Sequence, residues 1–145
     1  MYSVTYRGTP ENPGLVLALD PCELSFCDGV AFFVAAENSK QTLQYLRERE
    51  LVTSAYVENR HNITLANNTN VKALCYVINK THPQYTGGIC LKSQADIIAR
   101  SSGNTGSNWE YLYNTAAHLA EIGIADTELE QLVEMVKKRR SVERS

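Results

Sequence analysis

A single carboxylate that can take up a proton and hand it back is enough for general acid–base chemistry, and Glu50 is the residue best placed for it. With Ser39 read as an N-cap, residues 40–50 hold no Gly or Pro, and Leu43, Leu46 and Glu50 fall at i, i+3 and i+7. At about 100° per residue Glu50 returns to within roughly 20° of Leu43, whereas Glu48 points away toward water. An ionised carboxylate facing a core must be paired or take up a proton, and either response shifts its pKa; a raised value suits a general base. The competing reading is a surface pair with Arg47 or Arg49 in the last turn of the helix.

Other constellations carry less. His61, His82 and His118 lie far apart with no partner at i+3 or i+4, so no metal site is expected, and His118 falls on a solvated helix face. Cys75 or Cys90 with His82 would make a nucleophile pair, but both cysteines read better as buried structural residues. The run Gly103-Asn-Thr-Gly-Ser107 ends at a helix start and lacks the Lys-Ser/Thr of a P-loop, which favours a connector over an anion site. Eight tyrosines against three phenylalanines are enough to line a polar pocket, with Tyr56, Tyr76, Tyr85 and Tyr111 close to the strands and loops expected around Glu50.

The elements that hold these residues follow from pattern. Thr9-Pro-Glu-Asn-Pro-Gly14 is a turn; residues 15–19 and 29–35 read as short paired strands. After the Glu50 helix come strands over 56–65 and 71–78, the second apolar enough for burial on both faces, joined through the turn residues Asn67-Asn-Thr-Asn70. Ser93 starts a short helix bearing Ile97 and Ile98 and ending by Gly103. Ser107 and Glu110 have capping-box spacing before Trp109, Leu112, Ala116 and Leu119, with a stop at Gly123. Asp126 or Thr127 caps a last helix striped by Leu129, Leu132, Val133 and Val136. The sum is α+β, strands early and helices late.

The chain has 145 residues, is 43% hydrophobic and carries a formal net charge of -2. That is one domain's worth, residues 1–145, without a global basic field for nucleic acid or an anionic membrane. Residues 137–145 are expected as a basic, frayed tail whose Lys137, Lys138, Arg139 and Arg140 serve a helix C-terminus. Four cysteines without a CxxC pair and no secretory segment point to the cytoplasm, and no apolar run approaches a membrane span. The sequons at Asn62, Asn67 and Asn79 then carry no weight.

Three ordered motifs add a resemblance: Arg7-Gly-Thr-Pro-Glu-Asn-Pro-Gly14, Tyr45-Leu-Arg-Glu-Arg-Glu50 with Tyr56 six residues on, and Asn108-Trp-Glu-Tyr-Leu112. With Ala73-Leu-Cys-Tyr-Val77 and His82-Pro-Gln-Tyr-Thr-Gly87 between them, nearly the whole chain resembles the ChaC-type, glutathione-specific gamma-glutamylcyclotransferases. The resemblance implies a small mixed β-barrel with peripheral helices and cleavage of glutathione to 5-oxoproline and cysteinylglycine without a cofactor. It puts the family's catalytic glutamate on Glu50, and Tyr56 is the first choice for a pocket donor, with Arg7, Tyr85 and Tyr111 behind it. The family's N-terminal strand and Tyr-Gly-Ser-Leu turn do not occur, and Tyr6 stands where a His commonly precedes Arg-Gly, so an N-terminally shortened fold is expected. A non-catalytic module that binds gamma-glutamyl peptides is the alternative. An uncovered barrel edge would invite a homo-oligomer.

Overall fold

The computed structural model describes residues 1–143. In chain order the elements are β1 (Tyr2–Ser3), β2 (Gly14–Leu15), α1 (Ala36–Glu50), β3 (Tyr56–Thr64), β4 (Asn70–Ile78), α2 (Leu91–Arg100), β5 (Ser102–Gly103), β6 (Gly106–Ser107), α3 (Asn108–Glu121) and α4 (Thr127–Glu143). They fall into two compact units, one of Met1–Leu17 with the chain from Thr86 onward, the other Ala18–Tyr85.

The first unit is built on helices. Leu129, Leu132 and Val136 of α4 are buried with Ala95, Ile98 and Ala99 of α2, Leu112 of α3 and Leu15 of β2, and Val133 packs partly buried beside them. Each fully buried Leu, Ile or Val contributes about 1.5–3 kcal/mol. The last helix starts where its cap was expected, the Leu129 amide donating to Asp126 Oδ1 at 2.9 Å. Gly123, in a left-handed conformation at φ +76°, follows α3.

One polar side chain is built into this core. Asn108 is wholly buried. Its Oδ1 accepts from the Leu15 amide at 2.7 Å and its Nδ2 donates to the Leu15 carbonyl at 2.7 Å, so both polar ends are satisfied. The Arg7–Gly14 motif curls tightly against it: a Cβ on Gly8 would lie 2.0 Å from the Gly14 nitrogen. Glycine is the residue that closes this turn.

The basic residues of α4 lie within a helix that runs to Glu143. Lys137 pairs with Glu134, Arg139 reaches Asp96, and Arg140 sits 3.9 Å from the Trp109 ring centre.

The second unit is α1 with a long hairpin. Strands β3 and β4 pair antiparallel over nine residues, from Tyr56 opposite Ile78 to Thr64 opposite Asn70. The turn is the expected one: Asn68 takes φ +63° and Asn67 Oδ1 accepts from the Thr69 amide. Its apolar burial is sparse. Ala55, Val77 and Ile78 are buried, and α1 has no buried residue.

Several expectations change. Ser39 does not cap α1; the helix begins at Ala36, four residues before the expected Lys40, and Ser39 Oγ instead donates to the Ala36 carbonyl. Ala35 is the extended N-cap residue, Ala36 and Glu37 are good helix formers, and Glu37 suits the helix's positive end. Likewise Ser93 lies inside α2, which starts at Leu91. Residues 29–35 form no strand, and Phe32 and Phe33 are 87% and 94% exposed. A β-prone run becomes a strand only when a partner offers a hydrogen-bond ladder. Of residues 15–19, Leu15 pairs in β2 and Leu19 bridges Val77; the rest are irregular. Strand β4 is buried at its Val77–Ile78 end alone. Cys75 is half-buried and Cys90 exposed, so neither is a core residue. Among the described residues the strands make three two-stranded sheets and do not close into a barrel.

Candidate active site

Glu50 is the last residue of α1. The stripe that singled it out survives folding in diluted form: Leu43, Leu46 and Glu50 are half-buried, while Glu48 is exposed. The Glu50 side chain keeps 28% of its surface, and its Oε1 lies 3.1 Å from Arg49 Nε. It is therefore sheltered on one side and paired on the other.

The neighbouring arginine is committed elsewhere. Arg47 donates through Nε to Glu58 Oε2 at 2.7 Å and through Nη2 to Glu58 Oε1 at 2.6 Å, a bidentate pair between α1 and β3. Antiparallel pairing puts Glu58 opposite Tyr76 on one face of the hairpin, with Tyr56 two residues away on that same face. The Tyr76 hydroxyl donates to Glu58 Oε2 at 3.2 Å. The Arg47 guanidinium holds the Glu58 carboxyl below the usual carboxylate range. Burial, then the Glu58 charge, with a smaller push from Glu50, raises the Tyr76 phenol above its ordinary value and keeps it a donor.

A second polar group lies in the same unit. Tyr85 donates to Asp20 Oδ2 at 2.8 Å, and Lys80 lies 2.7 Å from Asp20 Oδ1. Lys80 draws the Asp20 carboxyl down, and the bond to Asp20 pushes the Tyr85 phenol up.

Glu50, Tyr56 and Tyr85 thus belong to the second unit, Arg7 and Tyr111 to the first. Arg7 Nη1 donates to the Thr105 carbonyl at 2.8 Å and the Ser107 carbonyl at 3.3 Å, and its guanidinium lies 5.5 Å from the Tyr111 ring centre. The Tyr111 hydroxyl accepts from the Leu17 amide. A cavity of about 250 Å³ in the first unit, bordered by Glu11, Asp96 and Arg100, contains none of the predicted site residues.

Sequence reasoning passed over Glu58, Asp20 and Lys80. For Glu58 a signal was present: Tyr56 and Glu58 are two apart in a predicted strand and must share a face. For Asp20 and Lys80, sixty residues apart, there was none.

The α+β fold that carries this carboxylate and hairpin has been solved before. Two structures of the yeast gamma-glutamyl cyclotransferase specific to glutathione match with TM-scores of 0.73 and 0.74 at 22% identity, covering 96% of this chain and 82% and 84% of theirs. The fold is shared with them. The chain belongs to the ChaC-like protein family, whose match runs over residues 1–139.

Among its relatives, the Escherichia coli glutathione-specific gamma-glutamylcyclotransferase is 33% identical over 132 residues, 91% of this chain and 56% of that protein. The Schizosaccharomyces pombe protein of the same name is 31% identical, covering 96% and 79%, and the Danio rerio protein, glutathione-specific gamma-glutamylcyclotransferase 1, is 34% identical, covering 77% and 58%. The match spans little more than half the length of the bacterial relative.

Proposed function

We propose that this chain is a glutathione-specific gamma-glutamylcyclotransferase that releases 5-oxoproline and cysteinylglycine, with Glu50 as general base and then general acid. Glutathione carries its own nucleophile, the α-amine, and its own electrophile, the γ-amide carbon. Ring closure is intramolecular, so much of the entropic cost of bringing the groups together is already met. Glu50 removes a proton as the amine attacks, and returns it to the cysteine nitrogen as the amide bond breaks. Tyr56, on the hairpin face nearest in register to Glu58, is assigned as the donor to substrate, with Tyr85 a further contact from the same unit. Arg7 and Tyr111, from the first unit, are weaker candidates for contacts to substrate.

One observation carries the reading: Glu50 ends the half-buried stripe of α1 beside the exposed Arg49, in a contact that water screens and a substrate can displace. The names of the ChaC-like relatives supply the substrate. A cytoplasmic setting belongs to the same proposal, supported by four free cysteines. So does self-association: among the described residues β3 has β4 as its sole ladder partner, which leaves an outer edge over residues 57–64 for a second copy.

Glu50→Gln tests the mechanism. Release of cysteinylglycine from glutathione is expected to fall by about 10²-fold or more, with an unchanged melting curve. Equal turnover by the variant would remove Glu50 from the reaction.

A further inference from the structure

We infer that Glu58 is a positioning residue for Glu50: it occupies the two forked donors of Arg47, and so keeps that guanidinium off the carboxylate that must accept and return a proton. The inference rests on the gamma-glutamylcyclotransferase reading for its consequence, but not for its geometry.

Arg47 precedes Glu50 by three residues on α1, a spacing at which helical side chains meet. An arginine there would form a bidentate pair with an ionised carboxylate, and a carboxylate so held is a poor proton acceptor. In the structure that pairing is made with Glu58 instead, through both Nε and Nη2. Glu58 is the better anchor. It sits on a strand whose register is fixed by nine cross-strand pairs, its side chain is 21% exposed, and the Tyr76 hydroxyl steadies the same oxygen that receives Arg47 Nε.

Glu50 pairs with Arg49, whose Nε lies 3.1 Å from Glu50 Oε1 on a side chain that is 66% exposed. Water screens such a contact, and substrate can replace it. Arg49 pairs with Glu50, and the Glu50 charge reaches the Tyr76 phenol on β4, while the shorter, bidentate cation–anion contact runs between Arg47 and Glu58.

A plain structural pin between α1 and the hairpin would use the same two side chains, and the two roles predict different outcomes for the variants. If Glu58 diverts Arg47, then Glu58→Gln frees the guanidinium for Glu50: kcat falls by about tenfold and the acid limb of the pH profile moves to lower pH, a tenfold change matching about one unit of carboxylate titration. Arg47→Gln retains more activity than Glu58→Gln, and the double variant regains what Glu58→Gln lost. If the pair is only a pin, Arg47→Gln is as damaging as Glu58→Gln and the double variant regains nothing, which would overturn the inference.

A second readout does not depend on turnover. With ¹³C-labelled glutamate carboxyls, and Glu50→Gln to assign the resonance, the Glu50 titration midpoint is expected to drop in Glu58→Gln and to return in the double variant. Identical midpoints in all three proteins would refute the diversion of Arg47 even if the wild-type chain makes no product. Absence of product with the expected midpoint shifts would instead count against the enzymatic reading alone.

Discussion

The two units are stabilised by different physics. The first buries eight apolar side chains around Leu112, Leu132 and Val136 and clamps a strand with a fully buried asparagine. The second buries three small or branched residues, gives α1 no buried side chain, and relies on ion pairs and tyrosine hydroxyls: Arg47–Glu58–Tyr76 and Lys80–Asp20–Tyr85. The contrast teaches where chemistry is affordable. Groups that must exchange protons need water and adjustable partners, which a dry core excludes. The unit with little core is the one that carries the candidate carboxylate.

The largest test of this contrast is Asn108→Ala. It leaves the Leu15 amide and carbonyl buried without partners, at about 1–3 kcal/mol each. Fluorescence of Trp109, the sole tryptophan, should report a loss of about 3 kcal/mol or more in chemical denaturation. A cost below about 1 kcal/mol would show that the clamp matters little.

Acidification should act in the other direction, on the second unit. Glu58 and Asp20 are both held below their ordinary values of 4.5 and 3.8. A depressed carboxylate contributes stability that is fully present above its ordinary value and is lost as pH falls through the lowered one. As pH falls below about 4.5 and through the lowered carboxylate range, the α1–hairpin contacts should therefore loosen, as seen in the near-ultraviolet signal of the tyrosines or in cross-peaks of residues 43–58. The Trp109 signal should persist further, because Asp96, also lowered by Arg139, is backed by the apolar core. Simultaneous loss of both signals would erase the distinction.

The smallest effect is expected for Arg140→Ala, which removes the cation stacked on Trp109. About 0.5–1 kcal/mol should be lost from the first unit, a shift of a few degrees in its melting temperature, with the tyrosine signals of the second unit unmoved.

Legibility in the sequence followed the same division. The α4 stripe, its Asp126 cap, the Asn67–Asn70 turn and the end of α3 near Gly123 were all readable, because each rests on contacts within a few residues. The strand expected over 29–35 was not, since composition supplies β-propensity but no partner. Asn108 lay in plain view within a motif, yet nothing local says that an asparagine at the start of a helix will reach a backbone 93 residues earlier.

Local periodicity determined that Glu50, and not Glu48, would share a face with Leu43 and Leu46; helix geometry alone requires it. The tertiary structure decided what surrounds that face. It sent Arg47 across to Glu58, left Arg49 to Glu50, and set Tyr76 beside them, because side-chain partners eleven and eighteen residues apart meet only once a hairpin and a helix have been brought together.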